Sequence, residues 1–252
     1  MTGGKVVERL KKAGIENAGF EARLLAQTSN PEESLKRRIV GEPLQYILGE
    51  WEFYGHDFVI GPGVLIPRQD TETLCDAVIK RYKGRKMLEG VDLCAGSGCI
   101  AVTLSLELNA SFTAIEKSDE AFDYLQKNNA LHGYPVQTVK ADALVCPPGF
   151  SDLDLIVCNP PYLTADDMKS LQKEVRFEPE LALFGGKDGL YFYRALTETW
   201  KDSLKRGGGL FYEVGFGQAD CVADILRQNG FENVQIQKDL CGVERVVFGF
   251  FK

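Results

Sequence analysis

The sequence predicts an α/β fold: a mostly parallel sheet covered on both faces, with one antiparallel strand, preceded by a small helical region. Three observations predict it. From about residue 88 apolar strand-like runs alternate with amphipathic helical runs, which implies a parallel sheet between two helical layers. The last two strand-like runs follow each other with no helix between them, so they form a hairpin and one strand runs antiparallel. The first forty residues carry only short helical patterns.

Taken in order, "KVVERLKKAG" places Val6, Val7 and Leu10 on one face and stops at Gly14. "GFEARLLAQ" is a second helix and "NPEESLKRRIV" a third. In the third, Asn30 caps, Pro31 suits the first helical position and Glu33 completes a capping box. Next, Trp51, Phe53 and Tyr54 flank Gly55 with Phe58, Val59 and Ile60, a β-hairpin pattern. "IPRQDTETLCDAVI" opens a helix, with Asp70 or Thr71 as its cap. Strands are expected at 89–93, 111–116, 135–140, 153–158, 208–214, 232–238 and 243–250, and helices at 98–107, 118–131, 188–204 and 217–229. The division expected is 1–40 helical, 41–66 a hairpin linker, and 67–252 the main domain. The connection 163–187 is long for a compact domain, and such loops are often functional.

Composition narrows the chemistry. Seven cysteines in 252 residues, with no Cys-x-x-Cys, read as small buried hydrophobes of a reducing, cytoplasmic compartment. Two histidines, His56 and His132, leave no room for a histidine-rich metal site, and no metal is expected. There is no Gly-x-Ser-x-Gly, Walker loop or zinc spacing. No run of eighteen apolar residues predicts a membrane helix, and the first residues are amphipathic rather than signal-like. A net charge of −7 speaks against a nucleic-acid backbone as partner.

Three strand ends carry candidate ligand groups. In "VDLCAGSGCIAV" a strand ends near Leu93 and a turn through Cys94, Ala95, Gly96, Ser97 and Gly98 opens a helix. The glycines permit close backbone approach, and the free N–H groups suit polar ligand atoms. The pattern is not a full Gly-x-Gly-x-x-Gly, so a pyrophosphate cradle is poorly supported. Glu116 closes the next strand, placed to take both ribose hydroxyls. Asp142 ends the strand after that, where a carboxylate accepts from an adenine amino group. Taken singly, these are an ordinary tight turn, a surface acid and a helix cap. Together they line successive strand ends, where open α/β sheets bind ligands. A nucleoside without a pyrophosphate fits, which points to S-adenosylmethionine.

The strand 153–158 ends in "NPPY". Two prolines remove two backbone donors, fix φ near −65° and push Asn159 into an extended conformation. The strand is expected beside the one ending at Leu93, where sheet order reverses, so Asn159 faces the reactive end of the cofactor.

With these residues in view, "NPPY" resembles the signature of enzymes that methylate planar amide or exocyclic amine nitrogens. "GEPLQYILGEWEFYG", "LIPRQDTETL", "NPPYL" and "VRFEPELALFGGKDGL" together resemble the glutamine-N5 methyltransferases of peptide-chain release factors, the PrmC/HemK family. The resemblance covers about 40–252. It implies a Rossmann-like S-adenosylmethionine-dependent methyltransferase sheet, with S-adenosylhomocysteine as product. It implies a cofactor held by Cys94 to Gly98, Glu116, Asp142, Ala143 and Asn159. The substrate would be the glutamine of a Gly-Gly-Gln loop in class-I release factors, held by Asn159, Pro160, Pro161 and Tyr162, with the N-terminal helices helping to dock the partner. Cys94 stands where the family commonly has glycine, and the helical region is shorter than usual.

A glutamine amide nitrogen is a poor nucleophile, because its lone pair is delocalised. The expected device is that the Asn159 side-chain oxygen and the Pro160 carbonyl each accept one N–H, aiming the nitrogen at the sulfonium methyl while Tyr162 packs on the amide. Phe177 is a further candidate for that packing. Asn159, Pro160 and Tyr162 are therefore the catalytic candidates. The alternative is an adenine-N6 methyltransferase of DNA or RNA, with an extruded base stacked on Tyr162. Its cation candidates, Lys169, Lys173 and Arg176, share their segment with five acids. A monomer that binds neither nucleic acid nor membrane is expected.

Overall fold

The apolar runs pair in a way their alternation dictates. In the computed structural model, which describes residues 3–145 and 149–252, they build a seven-stranded sheet. Its strands are β3 (Leu88–Leu93), β4 (Ala110–Glu116), β5 (Val136–Lys140), β6 (Leu153–Cys158), β7 (Leu204–Glu213), β8 (Phe231–Lys238) and β9 (Glu244–Phe251). Their order is β5-β4-β3-β6-β7-β9-β8. β9 inserts between β7 and β8 and runs antiparallel to both. The other neighbouring pairs are parallel.

Successive side chains point to opposite faces, so each strand feeds two cores. Val91, Leu93, Ile115, Ile156, Cys158, Leu210 and Tyr212 pack with Tyr193, Leu196 and Trp200 of α8 (Tyr191–Trp200) and Val222 and Leu226 of α9 (Ala219–Gln228). On the other face Phe112, Ala114, Leu155, Val157, Phe211 and Phe248 meet α5 (Gln69–Tyr82), α6 (Cys99–Glu107) and α7 (Asp119–Leu131). Each fully buried leucine or valine contributes about 1.5–3 kcal/mol. Six of the seven cysteines are described and free, four of them inside or beside these cores; Cys146 lies outside the described residues.

In front stand α1 (Gly3–Lys12), α2 (Ala18–Leu25), α3 (Pro31–Ile39) and α4 (Leu44–Leu48), then the hairpin of β1 (Glu50–Phe53) and β2 (His56–Val59). The segment expected as a hairpin linker therefore opens with a helix. Leu10, Ala18, Leu25, Leu35, Leu44 and Ile47 close a small core of their own. The Asn30 side chain accepts from the Glu33 N–H at 3.4 Å, one half of the expected box; the Glu33 carboxylate faces Lys36 instead. Asp70 and Thr71 are not caps. α5 starts earlier, after Arg68, and both residues sit in its first turn.

Two features position the site. Leu93 pairs with Cys158, so the glycine turn and Asn159 leave the sheet side by side where strand order reverses. The long connection after β6 is pinned to the helical layer. The buried Arg38 guanidinium bonds Glu21 at 2.6 Å and Glu174 at 2.5 Å, and Lys173 reaches the Ile39 carbonyl.

Candidate active site

The turn after β3 is held open from below. Cys94 (φ 59°) and Gly96 (φ 56°) both lie in the left-handed region, and the tight turn they make is closed by the Ala95 N–H on the Ile115 carbonyl (3.0 Å) and the Gly98 N–H on the Ala95 carbonyl (2.8 Å). Glu116 fixes this turn. Its carboxylate accepts from the N–H groups of Gly96 (2.8 Å), Lys117 (2.7 Å) and Ser118 (2.7 Å). A carboxylate has about four acceptor positions, so capacity for a hydroxyl remains. Asp142 accepts from the Leu144 N–H at 3.0 Å and from the Lys117 ammonium at 2.7 Å. Partial burial alone would raise the Asp142 pKa, but these two donors outweigh it and hold the group below its ordinary value.

Around these groups lies a cavity lined by Cys94, Ala95, Gly96 and Ser97, Glu116 to Ser118, Ala141 to Leu144, Asn159 and Pro161. Ile100, Ile115, Leu144 and Phe192 give it apolar walls. Thr71, Pro67 and Arg68 close one side, and Pro179, Leu181 and Ala182 another. Apolar walls for a flat base and carboxylates at successive strand ends are what a nucleoside without a pyrophosphate requires. Among the described residues no group of three His, Cys, Asp or Glu side chains converges as a metal site.

Asn159 lines this cavity and also a second groove, formed by Leu65, Arg68, Tyr162, Leu163, Asp167, Leu171, Val175 and Leu183. Its side-chain Nδ2 donates to the Thr71 hydroxyl at 3.3 Å. The amide oxygen is left free of that contact. Tyr162 walls the groove, and burial pushes its phenol pKa well up, so it stays protonated.

The backbone behind Asn159 is gripped tightly. Gln218 donates to the Tyr162 carbonyl at 2.9 Å and accepts from the Gly215 N–H at 3.0 Å. A Cβ on Gly185 would lie 2.6 Å from the Tyr162 Cα, and one on Gly189 2.4 Å from the Tyr162 oxygen. "FGGKDGL" is thus a seat for the proline elbow. The two segments on which the resemblance rested meet each other: Glu178 takes the Ile66 N–H at 3.0 Å and ion-pairs with Arg68.

Of the sequence-predicted residues, Cys94 to Ser97, Glu116, Asp142, Ala143, Asn159, Pro161 and Tyr162 line one cavity or the other. Gly98 and Pro160 line neither. A Cβ on Gly98 would come 2.4 Å from Leu125 Cδ1, so this glycine serves the approach of α7. Pro160 is buried, and among the described residues no donor reaches its carbonyl. Phe177 is exposed and outside both linings, whereas Phe192 lines the first. As site residues, Thr71 (expected only as a helix cap), Arg68 and Glu178 (present only within the quoted motifs) and Gln218 were missed. Asp92, whose Oδ2 accepts from the Ala101 N–H at 3.1 Å beneath the turn, was missed as well. "D" before a glycine turn was the available signal; for the other four only folding supplies one.

The family described as the methyltransferase small domain matches residues 69–176. A release factor glutamine methyltransferase of Geobacter sulfurreducens is 39% identical, over 95% of this chain and 92% of its own length. One of Neisseria gonorrhoeae is 41% identical, over 85% of this chain and 78% of its own. In structure, the hMettl16 catalytic domain, solved with a MAT2A 3′UTR hairpin, superposes with a TM-score of 0.66. It is 19% identical, over 87% of this chain and 82% of that one. A methyltransferase of Pyrococcus furiosus gives 0.59 at 18% identity, over 88% and 98%. These two likenesses show the Rossmann-like fold alone.

Proposed function

The chain belongs to the release factor glutamine methyltransferase family, and from that membership we propose that it methylates the side-chain nitrogen (N5) of the glutamine in the Gly-Gly-Gln motif of class-I release factors. S-adenosylmethionine is the proposed donor. When bound it supplies an electrophilic methyl group on a sulfonium. Cys94 to Ser97, Glu116, Asp142 and Ala143 would hold it, and they suit an adenosine without pyrophosphate. The glutamine would enter by the second groove.

The observation that carries this reading is the place of Asn159, common to both cavities, with its NH₂ turned to Thr71. Its oxygen then accepts one hydrogen of the glutamine amide and the Pro160 carbonyl accepts the other. Two acceptors on one side aim the nitrogen lone pair across at the methyl. The proline elbow, seated on glycines, keeps them from relaxing, so orientation is settled before reaction. As the nitrogen gains positive character, both acceptors hold it more strongly, an oxyanion hole with its sign reversed. Tyr162 packs on the amide plane and excludes water. The proton leaves to solvent after transfer.

The groove walls argue against a nucleic-acid substrate. The one cation among the described residues of the groove lining, Arg68, is paired with Glu178, and beside the groove Lys169 is paired with Asp166 while Lys173 and Arg176 bond main-chain carbonyls, a sparse set of cations for a phosphate backbone. The four N-terminal helices are proposed as the docking layer for the release factor, and the enzyme as a monomer. The test is labelled methyl transfer to purified class-I release factor. Label should appear on the release factor, vanish when its Gly-Gly-Gln glutamine is replaced, and be absent from DNA and RNA. Label on nucleic acid alone would overturn the reading.

A further inference from the structure

Asn159 presents an acceptor to the glutamine only while its amide does not flip, since the other orientation puts an NH₂ against an NH₂. Its Nδ2 donates to Thr71 Oγ1 at 3.3 Å, in the first turn of α5. A hydroxyl can donate or accept, so Thr71 alone tolerates either orientation. What the hydroxyl proton meets decides. Glu213 follows Tyr212, the register partner of Cys158, at the end of β7, so its buried carboxyl lies beside Asn159; the Thr71 hydroxyl is within its reach and pulls its pKa down. An ionised carboxylate only accepts. The Thr71 proton is thereby committed to Glu213, its lone pair to the Asn159 NH₂, and the Asn159 oxygen to the cavity.

Glu213 is 2% exposed, lines neither cavity, and has one oxygen, Oε2, with no partner among the described residues. A buried carboxyl with spare acceptor capacity is costly, and the sheet's own hydrogen bonding does not require it. We propose that Glu213, acting through Thr71, is the positioning residue that fixes which end of the Asn159 amide faces the transferred methyl. The proposal rests on the glutamine methyl-transfer reading above.

The pair sits among other polar groups. Arg68 and Asp70 face Glu213 from the start of α5, Arg245 from β9, Tyr162 and Cys158 from the end of β6, Cys99 from α6 and Tyr193 from α8. Burial raises Glu213 to about 7, against the pull of the Thr71 hydroxyl and Arg245. Protonated Glu213 offers its own hydrogen to Thr71 and releases the Thr71 proton toward Asn159. The ordered arrangement therefore belongs to the ionised form.

The experiment measures kcat on release factor and S-adenosylmethionine affinity by calorimetry for the full chain and three variants. Thr71→Val should lower kcat roughly twofold to tenfold, the weight of one lost orienting hydrogen bond, with cofactor affinity within about twofold; Thr71→Ser should restore most of it. The wild-type kcat should rise with pH through neutrality, and Glu213→Gln should flatten that rise. A Thr71→Val enzyme at the wild-type rate would overturn the proposal. So would an unchanged pH rise in Glu213→Gln, or a Thr71→Val loss that Thr71→Ser does not rescue. A wild-type chain that leaves release factor unlabelled would instead refute the methyl-transfer reading itself.

Discussion

The Arg68 guanidinium is ion-paired with the Glu178 carboxylate across 110 residues of sequence, and the other oxygen of that carboxylate takes the Ile66 N–H. One acid thus ties the segment before α5 to the long connection after β6, and both segments wall the cavity at the strand ends. The Glu178 side chain is 1% exposed, while that of Arg68 is 36% exposed. The bond to the backbone therefore weighs more than the ion pair, which solvent partly screens. Glu178→Ala should cost about 1.5–3 kcal/mol of unfolding free energy, the weight of a buried bond to a charged group. Urea titration reads it. A loss below that range would mean that the two segments hold together without the acid.

Asn159→Ala removes the acceptor common to both cavities. By analogy with one lost oxyanion-hole donor, activation should cost roughly 2.7–4 kcal/mol, about 10²–10³ in kcat. Cofactor affinity should change far less, because the other strand ends remain. Steady-state kinetics with calorimetry separates the two. Equal turnover in the variant would remove Asn159 from the mechanism.

The strand ends were legible because three of the candidate residues follow an apolar run directly: Leu93 then Cys94, Ile115 then Glu116, Cys158 then Asn159. The antiparallel partner at the end was legible from two runs without a helix between, but the place of β9 between β7 and β8 was not, since strand order is a matter of long-range pairing. α4 escaped because the five residues Leu44–Leu48 are too short to show a helical period. Thr71 looked like a cap in a polar run, yet its hydroxyl meets a side chain 88 residues away. Such a contact leaves no local trace. Gly98, which the local motif assigned to the ligand, lines neither cavity; it holds φ at 80° with Leu125 close above it.

Gly189 tests the seat of the elbow. Its φ is 72°, and an added Cβ would lie 2.4 Å from the Tyr162 oxygen and 2.5 Å from the Gln218 amide nitrogen that bonds it. The neighbour that must give way is backbone, so relaxation is expensive. Gly189→Ala should destabilise by about 1–3 kcal/mol through overpacking, and should lower kcat as well by shifting Tyr162. Gly217, also at positive φ but with open space around it, is the control: Gly217→Ala should leave kcat unchanged. Equal kcat losses in both would show that strain, and not the contact with Tyr162, is responsible.

Cys94 occupies the left-handed region at φ 59° with a side chain that glycine lacks. A non-glycine residue there costs about 1–2 kcal/mol, while glycine loses about 0.5–1 kcal/mol more chain entropy on folding. Cys94→Gly should therefore raise the unfolding free energy by up to about 1 kcal/mol, read by thermal melting. A fall would mean that the thiol contact with Cys158 contributes more than the backbone strain removes.

Glu213 makes stability depend on pH with a definite sign. Burial raises its pKa from 4.5 to about 7 in the folded chain. Between those values the native state holds a proton that the unfolded state has released, so the unfolding free energy falls as pH rises, and levels off above the folded value. Asp92, fully buried, is raised in the same direction and adds the same sign, but it is present in the variant too. The difference between Glu213→Gln and the wild type therefore isolates Glu213. It should move in favour of glutamine by about 3 kcal/mol between pH 4 and pH 8, the weight of that shift in pKa. Urea titrations at the two pH values measure it, and a difference independent of pH would show that Glu213 is not buried as a carboxyl. The same substitution is expected to abolish the rise of kcat with pH. A variant that is firmer at pH 8 and slower in transfer would place the destabilised acid among the groups kept for orientation at the expense of stability.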